Sequence, residues 1–166
     1  MHHAGMHHGA HAGHAQTGQR QAEVAERGKE VMPFSLAATT HIFTKTAQGG
    51  VQQVVVKRAG DAEQVTLTRQ HLQEIRAQFL QGDYSGPSRI HGQDMPGLAE
   101  LKAAAPGQIA IAYKDIAGGA ELAYTTTHPA LVAALHRWFD AQLADHGKDA
   151  MAGHRGHGGH GGQQKP

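Results

Sequence analysis

Fifteen histidines and no cysteine set the chemistry open to this 166-residue chain. Imidazole can ligate copper, nickel or zinc, move protons, or take on charge in acid. Thiolate metal sites, disulfides and thiol nucleophiles are excluded. The histidines fall into three sets. Six stand in the opening MHHAGMHHGAHAGH: His2, His3, His7, His8, His11 and His14. Three stand near the end in GHRGHGGHGG: His154, His157 and His160. Six lie between, at His41, His71, His91, His128, His136 and His146.

The terminal histidines alternate with Gly, Ala and Met instead of forming an unbroken affinity-tag run, and they read as native. A Gly-rich segment can wrap an ion tightly, at a high ordering cost, so its sites are expected to exchange readily. Met1 and Met6 stand beside histidine pairs, and a thioether favours Cu(I). With Met1 as the true terminus, its amine, two backbone nitrogens and His3 form a square-planar set suited to Cu(II) or Ni(II). Copper is therefore the expected metal, with nickel and zinc as alternatives. The plain alternative is that both ends only confer solubility.

Within the chain, RIHGQDMPG (89–97) places an imidazole, a carboxylate and a thioether close together at His91, Asp94 and Met95. It is the internal stretch expected to contribute to a metal or small-molecule site, with His41 and His128 as possible spatial partners. Against this, Asp94 can serve as a helix cap and His91 as a loop residue bonded to backbone. His128 and His146 share one angle on a helix at 100° per residue, in the centre of its apolar stripe. They stand at opposite ends, about 27 Å apart, and cannot share an ion. The plain reading makes His128 a cap before Pro129 and His146 a cation favoured at a helix C-terminus. His136 reads as a boundary residue; His71 shares a helix face with Glu74, three residues on, and flanks the apolar stripe, and reads as a surface position or one that supports a ligand from behind.

The elements that must carry these groups follow from hydrophobic period. Residues 1–22 and 148–166 are low-complexity, with little to bury, and are expected to be disordered. A single domain spans 23–147, led by a short helical stretch before Pro33. THIFTKT (40–46), a turn at AQGG and VQQVVVKR (51–58) form one β-hairpin; QIAIAYKDI (108–116) and AELAYTTT (120–127) form a second. Residues 62–82 read as a helix with Val65, Leu72, Ile75 and Phe79 on one face and Gly82 at its end. DYSGPSRIHG reads as a loop, followed by a short helix from Met95 to Ala104 capped by Asp94. A last helix starts at His128-Pro129 and ends near Gly147, with Leu131, Val132, Leu135, Trp138, Phe139 and Leu143 as its apolar stripe. The order ββ-α-α-ββ-α implies an α+β domain with a four-stranded antiparallel sheet and helices on one face. The hairpins leave open edges, so a homodimer is possible.

The formal charge of +1 offers no standing field for nucleic acid, although full histidine protonation would raise it to about +16. No apolar stretch approaches the ~20 residues of a membrane span. The absence of cysteine suits an exported protein. Without a signal core at the N-terminus, the chain is either cytoplasmic, with Met1 as its native start, or a mature periplasmic or secreted form.

The runs VMPFSLAATTHIFTKTAQGGVQQVVVKR, IHGQDMPGLAEL and HPALVAALHRWFDAQLADHG resemble a group of small bacterial proteins over about residues 30–150. Those proteins are usually made with an export leader, and many carry the name aspartate carbamoyltransferase. The resemblance implies an envelope location and no assigned activity. The Ser-Thr-Arg-Thr phosphate loop of true transcarbamoylases is missing, since TTT at 125–127 is followed by His-Pro, and transcarbamoylase chemistry is not expected. The leading expectation is a metal-binding protein of the envelope that buffers or delivers copper. The alternatives are a small enzyme using His91 oriented by Asp94, or a pH-sensitive interaction module.

Overall fold

A computed structural model describes residues 18–27, 34–92 and 94–153. The expectations placed on His2, His3, Met6, His7, His8, His11, His14, His154, His157 and His160 lie outside the described residues. Residues 18–27 form helix α1. A 3-10 turn, Leu36–Ala38, then leads into β1 (Thr39–Thr46) and β2 (Gly49–Val56). Next come helices α2 (Ala62–Leu80), α3 (Ser85–His91) and α4 (Leu98–Ala103). The hairpin β3 (Ala110–Ile116) and β4 (Gly119–Thr125), helix α5 (Pro129–His146), a 3-10 turn (Gly147–Asp149) and β5 (Ala150–Ala152) complete the fold.

The α+β class and both hairpins match expectation, but the sheet does not. It has five strands in the order β3-β4-β2-β1-β5, and β5 runs parallel to β1. A mixed sheet thus replaces the four-stranded antiparallel one. Residues 150–152 carry no alternation that marks a strand. They pair because α5 and its terminal turn deliver the chain alongside β1, with Ala150 opposite His41 and the amide of Gly153 donating to the Phe43 carbonyl at 3.0 Å. At the other end, α1 begins inside the stretch read as a low-complexity arm.

The hairpins join through antiparallel β2 and β4, which aligns one face across four strands. His41, Phe43, Gln52, Val54, Leu122, Tyr124 and Ile111 share that face by register and are all buried. Helices α2 and α5 pack over it. Gly50 allows the close approach of α5, because a Cβ there would come within 2.3 Å of the Phe139 ring. Trp138 and Phe139 dominate the core, with Tyr124, Phe79 and Tyr84 edge-on to Trp138 at centroid distances of 5.8–6.0 Å.

Two local corrections bear on the site. The loop DYSGPSRIHG is largely helix α3. Asp83 Oδ1 accepts from the Ser85 amide at 3.0 Å, and Pro87 falls in the first turn, where no intrahelical N–H bond is lost. Helix α4 starts at Leu98 instead of Met95, and Gly97 precedes it in the left-handed region at φ 81°. A Cβ on Gly97 would lie 2.2 Å from the Ala134 carbonyl oxygen. Asp94 makes no cap.

Helix α2 ends as its sequence suggests. The amides of Gly82 and Asp83 return to the carbonyls of Phe79 and Gln78, and Gly82 has φ 82°, which together make a Schellman motif.

Candidate functional site: a buried histidine chamber

Four histidines from four elements line one cavity of about 180 Å³: His41 of β1, His71 of α2, His91 at the end of α3 and His146 at the end of α5. All four are buried. The rings of His41 and His146 stack at 4.7 Å, and His91 meets His146 edge-on at 5.0 Å. Phe34 covers this group, 5.4 Å from the His71 ring and 6.0 Å from that of His41. Leu72, Ile75, Phe79, Ile90 and Trp138 supply apolar wall, and Gln52 and Gln142 add amides.

Burial sets the protonation of these rings. Desolvation, helped by the neighbouring charges of His91 and His71, pushes His41 down to about 3. Desolvation pushes His71 down to about 4. His146 is held well below the ordinary histidine range by desolvation and by His41 and His91, which together outweigh the opposing pull of Asp145. These three are neutral imidazoles at pH 7, the form that ligates metals.

His91 is held differently. Its Nδ1 lies 2.9 Å from Asp145 Oδ2. Burial alone would raise Asp145; hydrogen bonds from His91 and Arg20, and their charges, outweigh it and hold the carboxyl at about 2. A carboxylate only accepts, so Nδ1 of His91 carries the hydrogen, and Nε2 is the ring nitrogen left over for a ligand. Orienting a histidine through its second nitrogen with a carboxylate is the usual arrangement behind a metal ligand.

Helix α1 completes this support. Arg20 grips Asp145 with two bonds, Nε to Oδ1 at 2.6 Å and Nη2 to Oδ2 at 2.9 Å. The same Nη2 donates to the His91 carbonyl at 2.8 Å, and Arg27 Nη1 donates to the Ile90 carbonyl at 3.2 Å. Carbonyls left unpaired at the C-terminus of α3 thus receive cationic donors from α1, which also offset the helix dipole. Val24 on α1 is buried in the core.

The sequence-derived set is divided by the fold. His41 and His91 do meet in the chamber. Asp94 is exposed, Met95 is packed in the core at 5% exposure, and His128 is exposed at the start of α5; none of the three lines the cavity. The carboxylate partner of His91 is Asp145, not Asp94. His71 and His146, read from sequence as surface and helix-end positions, belong to the chamber. The angular reading had placed His146 in the apolar stripe, and that signal could have found it. His71, which flanks the apolar stripe of its helix, carried a weaker signal of the same kind. His136 faces elsewhere and donates from Nε2 to the Thr46 carbonyl at 2.8 Å.

Among the described residues, no three His, Asp or Glu side chains already stand in a geometry that holds an ion. Among the same residues, no helix is long and apolar enough to cross a membrane. Compared with protein-family models, curated proteins and solved structures, the chain matches none.

Proposed function

We propose that this is a metal-binding protein of the cell envelope that holds one transition-metal ion in the histidine chamber and captures further ions on its His/Met-rich ends. Copper is the first choice, with nickel or zinc next, because Cu(II) binds nitrogen donors most strongly among the divalent first-row ions. The observation that carries the reading is the convergence of four buried imidazoles on one cavity, with His91 fixed through Nδ1 by Asp145. An unliganded buried histidine cluster is costly to maintain, and metal binding would offset that cost.

Loading requires a local rearrangement. The stacked rings of His41 and His146 present faces to each other, while imidazole lone pairs lie in the ring plane. Rotation of these rings about their side-chain torsions brings Nε2 or Nδ1 toward the cavity. The capturing arms and the chamber together describe a buffer or delivery protein, consistent with an exported, cysteine-free chain.

The test separates the two kinds of site. The ten terminal ligands (His2, His3, Met6, His7, His8, His11, His14, His154, His157 and His160) are changed to Asn or Leu in the full chain. Copper(I), copper(II), nickel(II) and zinc(II) are then titrated by competition with a chromophoric chelator. One tightly held ion is expected to remain, and to be lost on the further change His91→Ala with His146→Ala. If the tail-substituted chain binds none of the four ions more tightly than micromolar, the chamber is not a metal site.

A further inference from the structure

Helix α1 is held to the domain mainly by polar anchors. Val24 is buried at 1% exposure, and the other residues of 18–27 are half-buried or exposed. Arg20 holds Asp145 and the His91 carbonyl, and Arg27 donates to the Ile90 carbonyl. Gln21 Nε2 donates to the Ala144 carbonyl at 3.1 Å, and the same amide lies over Gly147, where a Cβ would come within 2.6 Å of it. These polar contacts fall at two places. One is the C-terminal end of α3, which carries His91. The other is the C-terminal end of α5, where Ala144, Asp145 and Gly147 surround His146.

Such anchoring is weak. The side chains of Arg20 and Arg27 are 48% and 45% exposed, so water competes for their bonds and little is lost when these open. One buried valine adds only a small share of apolar burial. Bounded by Gly18 and Gly28, α1 has too few turns to persist unaided in water. Docking and helix formation therefore go together, and α1 stands at the low end of the local stabilities that one domain spans. The core around Val54, Leu122, Trp138 and Phe139 stands at the high end.

We propose that α1 is a detachable clamp on the chamber: it leaves the domain as a unit while the sheet, α2 and the body of α5 stay folded, and its departure loosens His91 and His146 together. Undocking strips the terminal carbonyls of α3 of both arginine donors and leaves the Asp145 carboxylate with His91 alone. His41 and His71, carried by β1 and α2, keep their places. The chamber is thus half fixed and half adjustable. This holds whatever the chamber binds, and the test uses no metal, so the clamp and the metal reading fail separately.

The chain has no cysteine, so one introduced thiol reports on one place. Val24→Cys and Val54→Cys are matched replacements of buried valines, on α1 and on β2. Each full chain, free of metal, is labelled with excess 5,5′-dithiobis(2-nitrobenzoic acid) in urea concentrations below the unfolding midpoint. The thiol at position 24 is expected to react at least about a hundredfold faster than that at position 54, with a smaller dependence on urea. Amide exchange of α1 and β2 in the unsubstituted chain gives the same comparison if a thiol variant does not fold. The link to the chamber is read from two amides, Gly92 donating to Ser88 and Gly147 donating to Leu143. Both are expected to exchange ahead of β2, and about tenfold sooner with Val24→Ala, which weakens docking without removing a hydrogen bond. Equal labelling at positions 24 and 54 overturns the clamp, as does labelling at 24 as fast as that of a free cysteine. So does exchange at Gly92 and Gly147 that is indifferent to Val24→Ala.

Discussion

The two ends of α5 carry a histidine at the same helical angle, and the fold treats them in opposite ways. His128 stands exposed before Pro129, its amide held by Thr126 Oγ1 at 3.2 Å. His146, five turns on, is 7% exposed, stacked on His41 and driven well below its ordinary pKa by burial. Helix angle is therefore not enough to place a side chain. What differs is the company at each end: β1, α3 and α1 converge on the C-terminal end, and the N-terminal end faces a loop.

The largest consequence is a steep acid response of the buried histidines gathered at the His146 end. His41, His71 and His146 have folded pKa values below the unfolded value of about 6.5, so the unfolded chain binds more protons over that interval. Their contribution to stability is complete above about pH 6.5 and is lost as pH falls toward the folded values. Each group adds up to about 1.4 kcal/mol per pH unit, so His41 and His71 together give a slope approaching about 3 kcal/mol per unit between about pH 6 and 5 in metal-free protein, and His146 steepens it. Denaturant midpoints at pH 7.5, 6 and 5 measure this slope, and midpoints that coincide would erase the contrast between the two ends. Asp145 acts at lower pH, since its contribution is present above about 4 and disappears as pH falls through about 2.

Next in size is the removal of Asp145. Asp145→Leu leaves the Nδ1 hydrogen of buried His91 without its acceptor and frees Arg20 from its carboxylate. A loss of about 2–3 kcal/mol is expected at pH 7.5, read from urea unfolding. The half-exposed Arg20 will account for little of it. A cost below about 0.5 kcal/mol would show that the α1–α5–α3 junction contributes nothing to stability.

Replacing the two helix-end histidines compares them directly. His146→Phe keeps a ring against His41 and removes one proton-binding site, so the acid slope should flatten by about 1.4 kcal/mol per pH unit. His128→Ala should change stability by less than about 0.5 kcal/mol at pH 7.5, because the side chain is exposed and forms no cap hydrogen bond. Equal effects from the two substitutions would contradict their different burial.

Much of the fold was legible because its signals are local. Alternation in THIFTKT put His41 and Phe43 on one face, and both are buried there. Gly82 and Gly147 marked the ends of α2 and α5, and Pro129 marked the start of α5. Helix α3 was hidden because Gly86 and Pro87 read as breakers, yet a proline in a first turn breaks no hydrogen bond. Strand β5 was hidden because three residues hold no period. The chamber was half visible: His41 and His91 were singled out, but Asp94 and Met95 drew attention by proximity in sequence, whereas Asp145 lies 54 residues from His91.

The sequence by itself determined the kind of chemistry available: imidazole without thiol, two hairpins, and helices whose apolar stripes must cover one sheet face. Periodicity and composition carry that information, since each depends only on near neighbours in the chain. The tertiary structure alone decided which histidines meet. Strand register brings His41 to the chamber, and the packing of α2, α3 and α5 brings His71, His91 and His146 against it. Arg20 reaches Asp145 across 125 positions of sequence. Packing at that range depends on the whole core, and no local pattern encodes it.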